Sequence, residues 1–167
     1  MRKEKEIFVS RCFEETQELG EEFVKRILFE QALALSSGRR GVSLPKKSAY
    51  VIALYGDLGS GKTTFVQGMA KGLGIKRRII SPTFVIIRSY QVYSLYFYHI
   101  DLYRVEGVDN IKGLGLEEII NDHHNIVAIE WAEKMGDLLP KKRWDVGFED
   151  LGEDERRITI KIRLIRN

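Results

Sequence analysis

The amino-acid sequence predicts an α/β fold, a single domain over residues 1–167 in which a mixed, mostly parallel sheet is flanked by helices. Three observations support this fold class. An uninterrupted β-branched and aromatic run at 49–55 is typical of a buried parallel strand. The glycine-rich segment Gly56–Thr63 follows it, and apolar residues then recur at helical spacing as far as Gly74. Strand, glycine loop and helix in this order predict a P-loop NTPase-like domain.

The segment before this unit is predicted to add one strand and one helix. Residues 6–10 have a strand pattern, and apolar residues recur at helical spacing between Leu19 and Leu28. Thr16 is a candidate N-terminal cap of that helix, because its hydroxyl could accept a backbone N–H. The polar and basic segment Gly38–Lys47 is predicted to be a loop.

The segment after the glycine-loop helix is predicted to continue the sheet. Two β-prone runs, 85–90 and 93–100, predict an antiparallel pair with Ser89–Val92 at or near the turn. The other predicted elements are a short helix around 114–120, a buried strand at 125–129, and two C-terminal strands at 144–148 and 157–165. Glu130 and Trp131 are therefore expected directly after a buried strand.

Composition limits the class of protein. Hydrophobic residues make up 44% of the chain and charged residues 31%, as in soluble globular proteins. No apolar run approaches the length of a membrane span, and no signal-peptide core follows the N-terminus, so we expect a cytoplasmic protein without membrane contact. Cys12 is the only cysteine, which excludes an internal disulfide. The net charge of +3 comes from scattered residues and does not indicate direct nucleic-acid recognition.

The segment Gly56–Thr63 has the pattern Gly-x-x-x-x-Gly-Lys-Thr, which predicts a phosphate-binding loop. Its glycines allow consecutive backbone N–H groups to turn inward, at the positive end of the following helix. Lys62 would reach the outer phosphates of a nucleotide. The Thr63 hydroxyl would hold a magnesium ion that bridges the same phosphate oxygens. Nucleotide binding is therefore the first function that the sequence predicts.

Two carboxylates are candidates for the chemistry that follows binding. Glu130 and Asp101 each come at the end of a predicted strand, and ligands collect at the carboxyl ends of strands in open α/β sheets. Both acids could complete the magnesium shell and position an attacking water, so they are the predicted catalytic residues. A structural salt bridge is the alternative role for either one.

The segment Ser81-Pro82-Thr83 is a candidate switch, because Pro82 fixes the turn and leaves the hydroxyls of Ser81 and Thr83 free to meet the terminal phosphate or its magnesium. An ordinary turn is the alternative. ATP is favoured over GTP, because the chain contains no Asn-Lys pair of the kind that GTPases use to recognise guanine.

Several blocks in order along the chain resemble the bacterial TsaE (YjeE) family. They are residues 56–64, Ser81–Phe84, the sequence His-Ile-Asp-Leu-Tyr-Arg at His99–Arg104, and the pair Glu130–Trp131. The segments Thr16–Gly20 and Gln67–Gly68 also resemble the family, so the similarity covers nearly the whole domain.

This resemblance implies a small P-loop ATPase that works with magnesium. We expect its hydrolysis of ATP to be slow, because no arginine is obviously placed to stabilise the transition-state charge. The resemblance also implies a role in forming threonylcarbamoyladenosine at position 37 of tRNAs that read codons beginning with A. The implied partners are TsaD and TsaB, with tRNA met only through that complex. Asp101 and Glu130 would serve the metal and the hydrolytic water, with Thr63 as a further metal ligand. The nucleotide-binding residues expected in total are Thr16, Gly56, Asp57, Leu58, Gly59, Ser60, Gly61, Lys62, Thr63, Thr64, Ser81, Thr83 and Trp131.

Two segments depart from the family pattern, and two other functions remain as alternatives. The basic segment Gly38–Lys47 and the hairpin Ser89–Tyr98 look longer than the family would suggest, which leaves the geometry of partner binding open. A small-molecule kinase would also suit the glycine loop, but it needs an arginine-rich lid, for which Arg77-Arg78 is the only candidate. A non-catalytic module is the other alternative, in which bound nucleotide only orders Ser81–Phe84 for a partner.

Overall fold

The computed structural model describes residues 5–37, 48–77, 79–82 and 84–163, without the side chains of 30–37. The predicted basic loop Gly38–Lys47 and the candidate residue Thr83 lie outside these ranges. The strands are β1 Lys5–Ser10, β2 Tyr50–Tyr55, β3 Ile87–Val92, β4 Leu95–Asp101, β5 Asn125–Glu130, β6 Arg143–Gly152 and β7 Glu155–Arg163. The helices are α1 Phe13–Ser37, α2 Lys62–Gly72, α3 Val108–Lys112, α4 Leu116–Asn121 and a 3-10 helix at Ala132–Leu138.

The described strands form one seven-stranded sheet in the order β1-β7-β6-β2-β5-β4-β3. Its four central strands, β6, β2, β5 and β4, are parallel to one another, and the pairs β1/β7, β6/β7 and β3/β4 are antiparallel. This confirms the predicted α/β class with a mixed sheet. The parallel centre brings the carboxyl ends of β2, β4 and β5 to the same edge, where ligands bind in such sheets.

Helices cover both faces of the sheet, so the strands at its centre are buried. One face packs against α1 and α2 through Phe23, Phe65 and Met69, each at most 2% exposed. The other face packs against α3, α4 and the 3-10 helix, where Ile111 and Met135 are buried. Burial of each such side chain contributes about 1.5–3 kcal/mol to folding, so the two layers hold the sheet edge in place. No helix in the described part of the chain is both long and apolar enough to cross a membrane.

The predicted cap at Thr16 is wrong. Helix α1 begins at Phe13, and the Thr16 amide already donates to the carbonyl of Cys12 at 3.3 Å within the first turn. The Cys12 sulfur accepts the Glu15 amide, and the Glu15 carboxylate accepts the Arg11 amide at 2.7 Å. These contacts lie around Cys12 and start the helix at Phe13, so Thr16 already lies within its first turns and the amides that follow it bond inside the helix.

The predicted hairpin has its turn in a different place. Strand β3 continues through Val92, which pairs with Leu95, and only Tyr93 and Ser94 connect the strands. Val92 is buried in the core, so its packing extends the strand past the predicted turn. The predicted helix around 114–120 is α4. Helix α3 before it and the 3-10 helix after β5 were not predicted.

Candidate nucleotide-binding site

The glycine loop joins the end of β2 to the start of α2, as predicted. Gly56, Gly59 and Gly61 have φ values of 140°, 81° and 103°, which side-chain-bearing residues rarely adopt. At Gly56 a Cβ atom would also lie 2.5 Å from the carbonyl oxygen of Phe148. The loop therefore needs glycine both for its backbone conformation and for its close approach to β6.

Lys62 is the first residue of α2 and is 4% exposed. Its ammonium donates to the carbonyls of Gly56 at 2.6 Å and Asp57 at 2.8 Å, so the side chain lies across its own loop. It also lies 4.3 Å from the centroid of the Trp131 ring, within cation–π range. Burial lowers the pKa of Lys62, while the carboxylates around it, with Glu130 the strongest, oppose that shift.

Glu130 ends β5 and reaches the first turn of α2. The Thr63 hydroxyl donates to its two carboxylate oxygens at 2.8 and 3.0 Å. His99, on the adjacent strand β4, places Nε2 2.7 Å from Glu130 Oε1. Both Glu130 and His99 are buried, at 3% and 0% exposure. The structure thus joins the last residue of the loop motif to a strand-end carboxylate.

Asp101 lies beside Glu130 on the neighbouring parallel strand and pairs with it in register. Its Oδ2 accepts a hydrogen bond from the Ser81 hydroxyl at 3.0 Å, and its Oδ1 accepts the Tyr103 amide at 2.9 Å. The predicted switch residue Ser81 therefore contacts the second predicted acid. Because Asp101 is only 3% exposed, its orientation is fixed by these partners.

These residues enclose a cleft of about 220 Å³. Of the predicted residues, it is lined by Leu58, Gly59, Gly61, Lys62, Thr63, Thr64, Ser81, Asp101, Glu130 and Trp131. Gly56, Asp57 and Ser60 belong to the same loop but do not line the cleft, and Ser60 is buried.

Thr16 lies beside the loop without lining the cleft. It is fully buried, and its hydroxyl is 2.7 Å from that of Ser10 and 3.4 Å from Nη1 of Arg156. Arg156 comes from β7 and covers Gly61, where a Cβ would lie 3.0 Å from the guanidinium. Thr16 is thus connected to the glycine loop through an arginine that the sequence analysis did not single out.

Aromatic residues form one wall of the cleft. Trp131 has a left-handed backbone, with φ of 58°, at the junction of β5 and the 3-10 helix. Its ring lies 5.2 Å from that of Tyr103, centroid to centroid. Lys134 donates to the carbonyl oxygens of Tyr103 and Val105, which ties the 3-10 helix to the segment after β4.

Sequence reasoning missed three residues at this site: His99, Tyr103 and Arg156. His99 and Tyr103 lie in the block His99–Arg104, which resembles the family. Each is two residues from Asp101, and this spacing could have indicated that they lie near the same site. Arg156 had no local signal, because only the order of β1, β7 and β6 places it over the loop.

Comparison with known proteins shows the family of the chain. A family model described as "Threonylcarbamoyl adenosine biosynthesis protein TsaE" matches residues 11–158. The chain is 44% identical over 114 residues to the tRNA threonylcarbamoyladenosine biosynthesis protein TsaE of Bacillus subtilis, covering 68% of this chain and 70% of that protein. It is 34% identical over 119 residues to the protein of the same name in Haemophilus influenzae, covering 71% and 74%.

A solved structure shares the fold. The crystal structure of Bacillus subtilis YdiB matches with a TM-score of 0.68 and 30% sequence identity, over 96% of this chain and 86% of that chain. The family match spans the glycine loop, both strand-end carboxylates and Arg156. The chain therefore belongs to the TsaE family of threonylcarbamoyladenosine biosynthesis proteins.

Proposed function

We propose that this protein binds ATP with magnesium and hydrolyses it slowly, as an accessory factor in tRNA threonylcarbamoyladenosine biosynthesis. The observation that carries the proposal is the contact between the Thr63 hydroxyl and the Glu130 carboxylate, at 2.8 Å beside the glycine loop. In P-loop proteins these two positions hold the metal that bridges the outer phosphates. Nothing in that contact depends on family resemblance, so it supports nucleotide chemistry independently.

The donor set fits magnesium. Hard oxygen ligands, a hydroxyl and one or two carboxylates, are what Mg²⁺ prefers, with phosphate oxygens and water completing its shell. Thr63, Glu130 and Asp101 supply such oxygens, and all three line the cleft. When bound, magnesium would neutralise charge on the bridging phosphate oxygens. A purely structural role for Glu130, as the partner of His99, does not account for its second contact, with the Thr63 hydroxyl of the glycine loop.

The chain's own residues would divide the remaining work. Backbone amides of the loop would face the phosphates at the N-terminus of α2, where the helix dipole favours negative charge. Lys62 would exchange its bonds to the loop carbonyls for bonds to phosphate oxygens. Asp101 or Glu130 would orient the attacking water. Ser81, which is hydrogen-bonded to Asp101, would change its contacts when the terminal phosphate is bound or released.

ATP is the nucleotide we propose, with Trp131, Thr16 and Arg156 beside it. The Trp131 ring is placed to pack against the nucleotide, and the guanidinium of Arg156 offers a positive charge at the loop. We further propose one domain over residues 1–167, a cytoplasmic location, and action with TsaD and TsaB on adenosine 37 of tRNAs that read codons beginning with A. The partners would raise the turnover rate, and tRNA would be met through their complex.

The test is nucleotide titration of a Lys62→Ala variant. Lys62 faces the outer phosphates, so we expect ATP affinity to fall at least tenfold, the loss of a bond to a charged group worth about 1.5–3 kcal/mol. Lys71→Ala is the matched control, because Lys71 is on the same helix and pairs with Glu21 at the surface. Equal ATP affinity in wild type and Lys62→Ala would refute the assignment of the loop. Hydrolysis measured with and without TsaD and TsaB then tests turnover.

A non-catalytic binding module is the second candidate, and one observation favours it. Phe84, directly after the predicted switch, is 82% exposed, and the guanidinium of Arg104 lies 4.2 Å from the centroid of its ring. An exposed aromatic next to the cleft suits partner docking. A Glu130→Ala variant distinguishes the ATPase from the binding module. If the variant binds ATP yet cannot support tRNA modification, the modification requires hydrolysis and the non-catalytic module is excluded.

A small-molecule kinase has less support. Its only lid candidate was Arg77-Arg78, and Arg77 lines a separate groove formed with the β3–β4 hairpin. Arg78 lies outside the described residues. Transfer of phosphate from ATP to nucleosides or sugars, compared with release to water, would revive this reading.

A further inference from the structure

We propose that His99 is a positioning residue that fixes the Glu130 carboxylate for metal binding, without touching nucleotide or metal. His99 does not line the cleft, and its side chain is fully buried between the sheet and α2. Among the described residues its ring makes one hydrogen bond, from Nε2 to Glu130 Oε1 at 2.7 Å. This inference rests on the proposed function, because it assigns Glu130 to the metal.

Strand register explains why the contact forms. His99 lies opposite Ala128 on β5, two residues before Glu130, so the two side chains project from the same face of neighbouring parallel strands. The strands fix the backbone of Glu130, but its long side chain has several rotamers. A fixed ring on the next strand restricts the carboxylate to one of them.

The ring also has a defined tautomer. Nδ1 of His99 is buried and has no hydrogen-bond partner among the described residues. A proton on Nδ1 would leave a buried donor unsatisfied and would turn the Nε2 lone pair toward the carboxylate. The proton therefore resides on Nε2, and His99 donates to Glu130.

This donor matters most when Thr63 acts as a metal ligand. The Thr63 hydroxyl now donates to both oxygens of Glu130. A hydroxyl that coordinates magnesium must aim its lone pair at the ion, which weakens that contact. His99 would then be the remaining protein donor to Oε1, leaving Oε2 directed at the ion. Outer partners of this kind typically change metal affinity about 10- to 100-fold when removed.

Three variants of His99 test the hydrogen-bond donor at Nε2 separately from the packing of the side chain. Gln can place an amide nitrogen near the position of Nε2, Asn can place one only near Nδ1, and Leu offers no donor. Binding of a fluorescent ADP analogue is measured during Mg²⁺ titration, and again in EDTA. We expect His99→Leu and His99→Asn to need about 10- to 100-fold more Mg²⁺. His99→Gln should keep the wild-type requirement, and all variants should bind equally in EDTA.

Steady-state kinetics give a second readout. Loss of positioning should lower kcat in His99→Leu and leave KM for ATP at saturating Mg²⁺ unchanged, whereas general loosening of the fold would change both. His99→Leu with the wild-type Mg²⁺ requirement overturns the proposal. So does a His99→Gln variant as impaired as His99→Leu, because that result would show a packing role. Wild-type protein that binds no nucleotide with Mg²⁺ overturns the proposed function as well.

A measurement on the unmodified chain covers the case in which the variants do not fold. Nitrogen-15 NMR of histidine rings distinguishes Nδ1–H from Nε2–H, and the other two histidines of the chain, His123 and His124, are exposed. We expect one slowly exchanging ring proton, on Nε2, that persists after ADP and Mg²⁺ are added. A proton on Nδ1, or loss of the signal on adding ADP and Mg²⁺, would contradict the assignment.

Discussion

Helices α1 and α2 touch at glycines, and enlarging one of them should separate the helices. A Cβ added at Gly68 would lie 2.0 Å from the carbonyl oxygen of Gln17. Gly20 meets α2 in the same way, with its Cβ 2.2 Å from the carbonyl oxygen of Phe65. Both obstacles are backbone atoms of a helix, so no side-chain rotation can relieve them.

The cost of Gly68→Ala follows from these distances. An ordinary contact is 3.4 Å or more, so the helix backbones must separate by over 1 Å. Overpacking of this kind costs about 1–3 kcal/mol, occasionally more. The better helix propensity of alanine returns at most about 1 kcal/mol. Because α1 also carries the buried Phe23 and Ile27, displacement loosens the core, and we expect a net loss of about 2 kcal/mol.

Urea denaturation of wild type and variant, followed by circular dichroism, measures this loss. Gly113→Ala is the matched control, because Gly113 has φ of −66° and its nearest contact would be 3.5 Å away. Alanine there restricts the unfolded chain without a clash, so stability should rise by about 0.5 kcal/mol. The double variant Gly20→Ala/Gly68→Ala should lose less than the sum of the two single losses, since one helix displacement relieves both clashes. Wild-type stability for Gly68→Ala would show that the helices do not lie at this distance.

Two further predictions concern Arg156 and Tyr50. Arg156→Ala should weaken ATP binding about tenfold, since it removes a positive charge beside Gly61; calorimetry checks this against Arg157→Ala, whose side chain pairs with Glu149 at the surface. Burial raises the pKa of Tyr50 to about 12. The unfolded chain ionises this tyrosine near pH 10, so it binds fewer protons than the folded chain, and stability should fall between about pH 10 and 12. Tyr50→Phe should reduce that fall, and equal pH slopes for the two proteins would contradict the prediction.

The parts of the fold that the sequence predicted are those fixed by neighbouring residues. The strand at 49–55, the glycine loop and α2 are contiguous, and each has its own periodic pattern. Asp101 and Glu130 could also be predicted as site residues, because a polar residue directly after a buried strand indicates the ligand-binding edge of a parallel sheet. The two local inferences assigned Thr63 and Glu130 to one magnesium ion, and the hydrogen bond that the two side chains make with each other was not among them.

Other features depended on strand order or on competition between contacts. Arg156 reaches Gly61 only because β7 lies between β1 and β6, and no local pattern encodes that order. Thr16 has the side chain of a cap, yet α1 begins at Phe13, where the Cys12 sulfur accepts the Glu15 amide and the Glu15 carboxylate accepts the Arg11 amide. The β3–β4 turn lies later in the chain than predicted, because Val92 packs in the core and stays in the strand although polar residues flank it.

The segments Thr16–Gly20 and Gln67–Gly68, which resemble the family but line no part of the cleft, contribute to packing between helices. Gln17 donates from Nε2 to Oε1 of Gln67 at 3.1 Å, and Gln67 donates in turn to the carbonyl of Ile79 at 3.0 Å. With Gly20 and Gly68 at the helix contact, these residues fix α2 against α1 and against the segment that leads to Ser81. Because α2 begins with Lys62 and Thr63, a shift at this contact would move the phosphate-binding residues relative to Asp101. The glutamine and glycine pairs therefore align the loop with the carboxylates, which a phosphate-binding role alone would not explain.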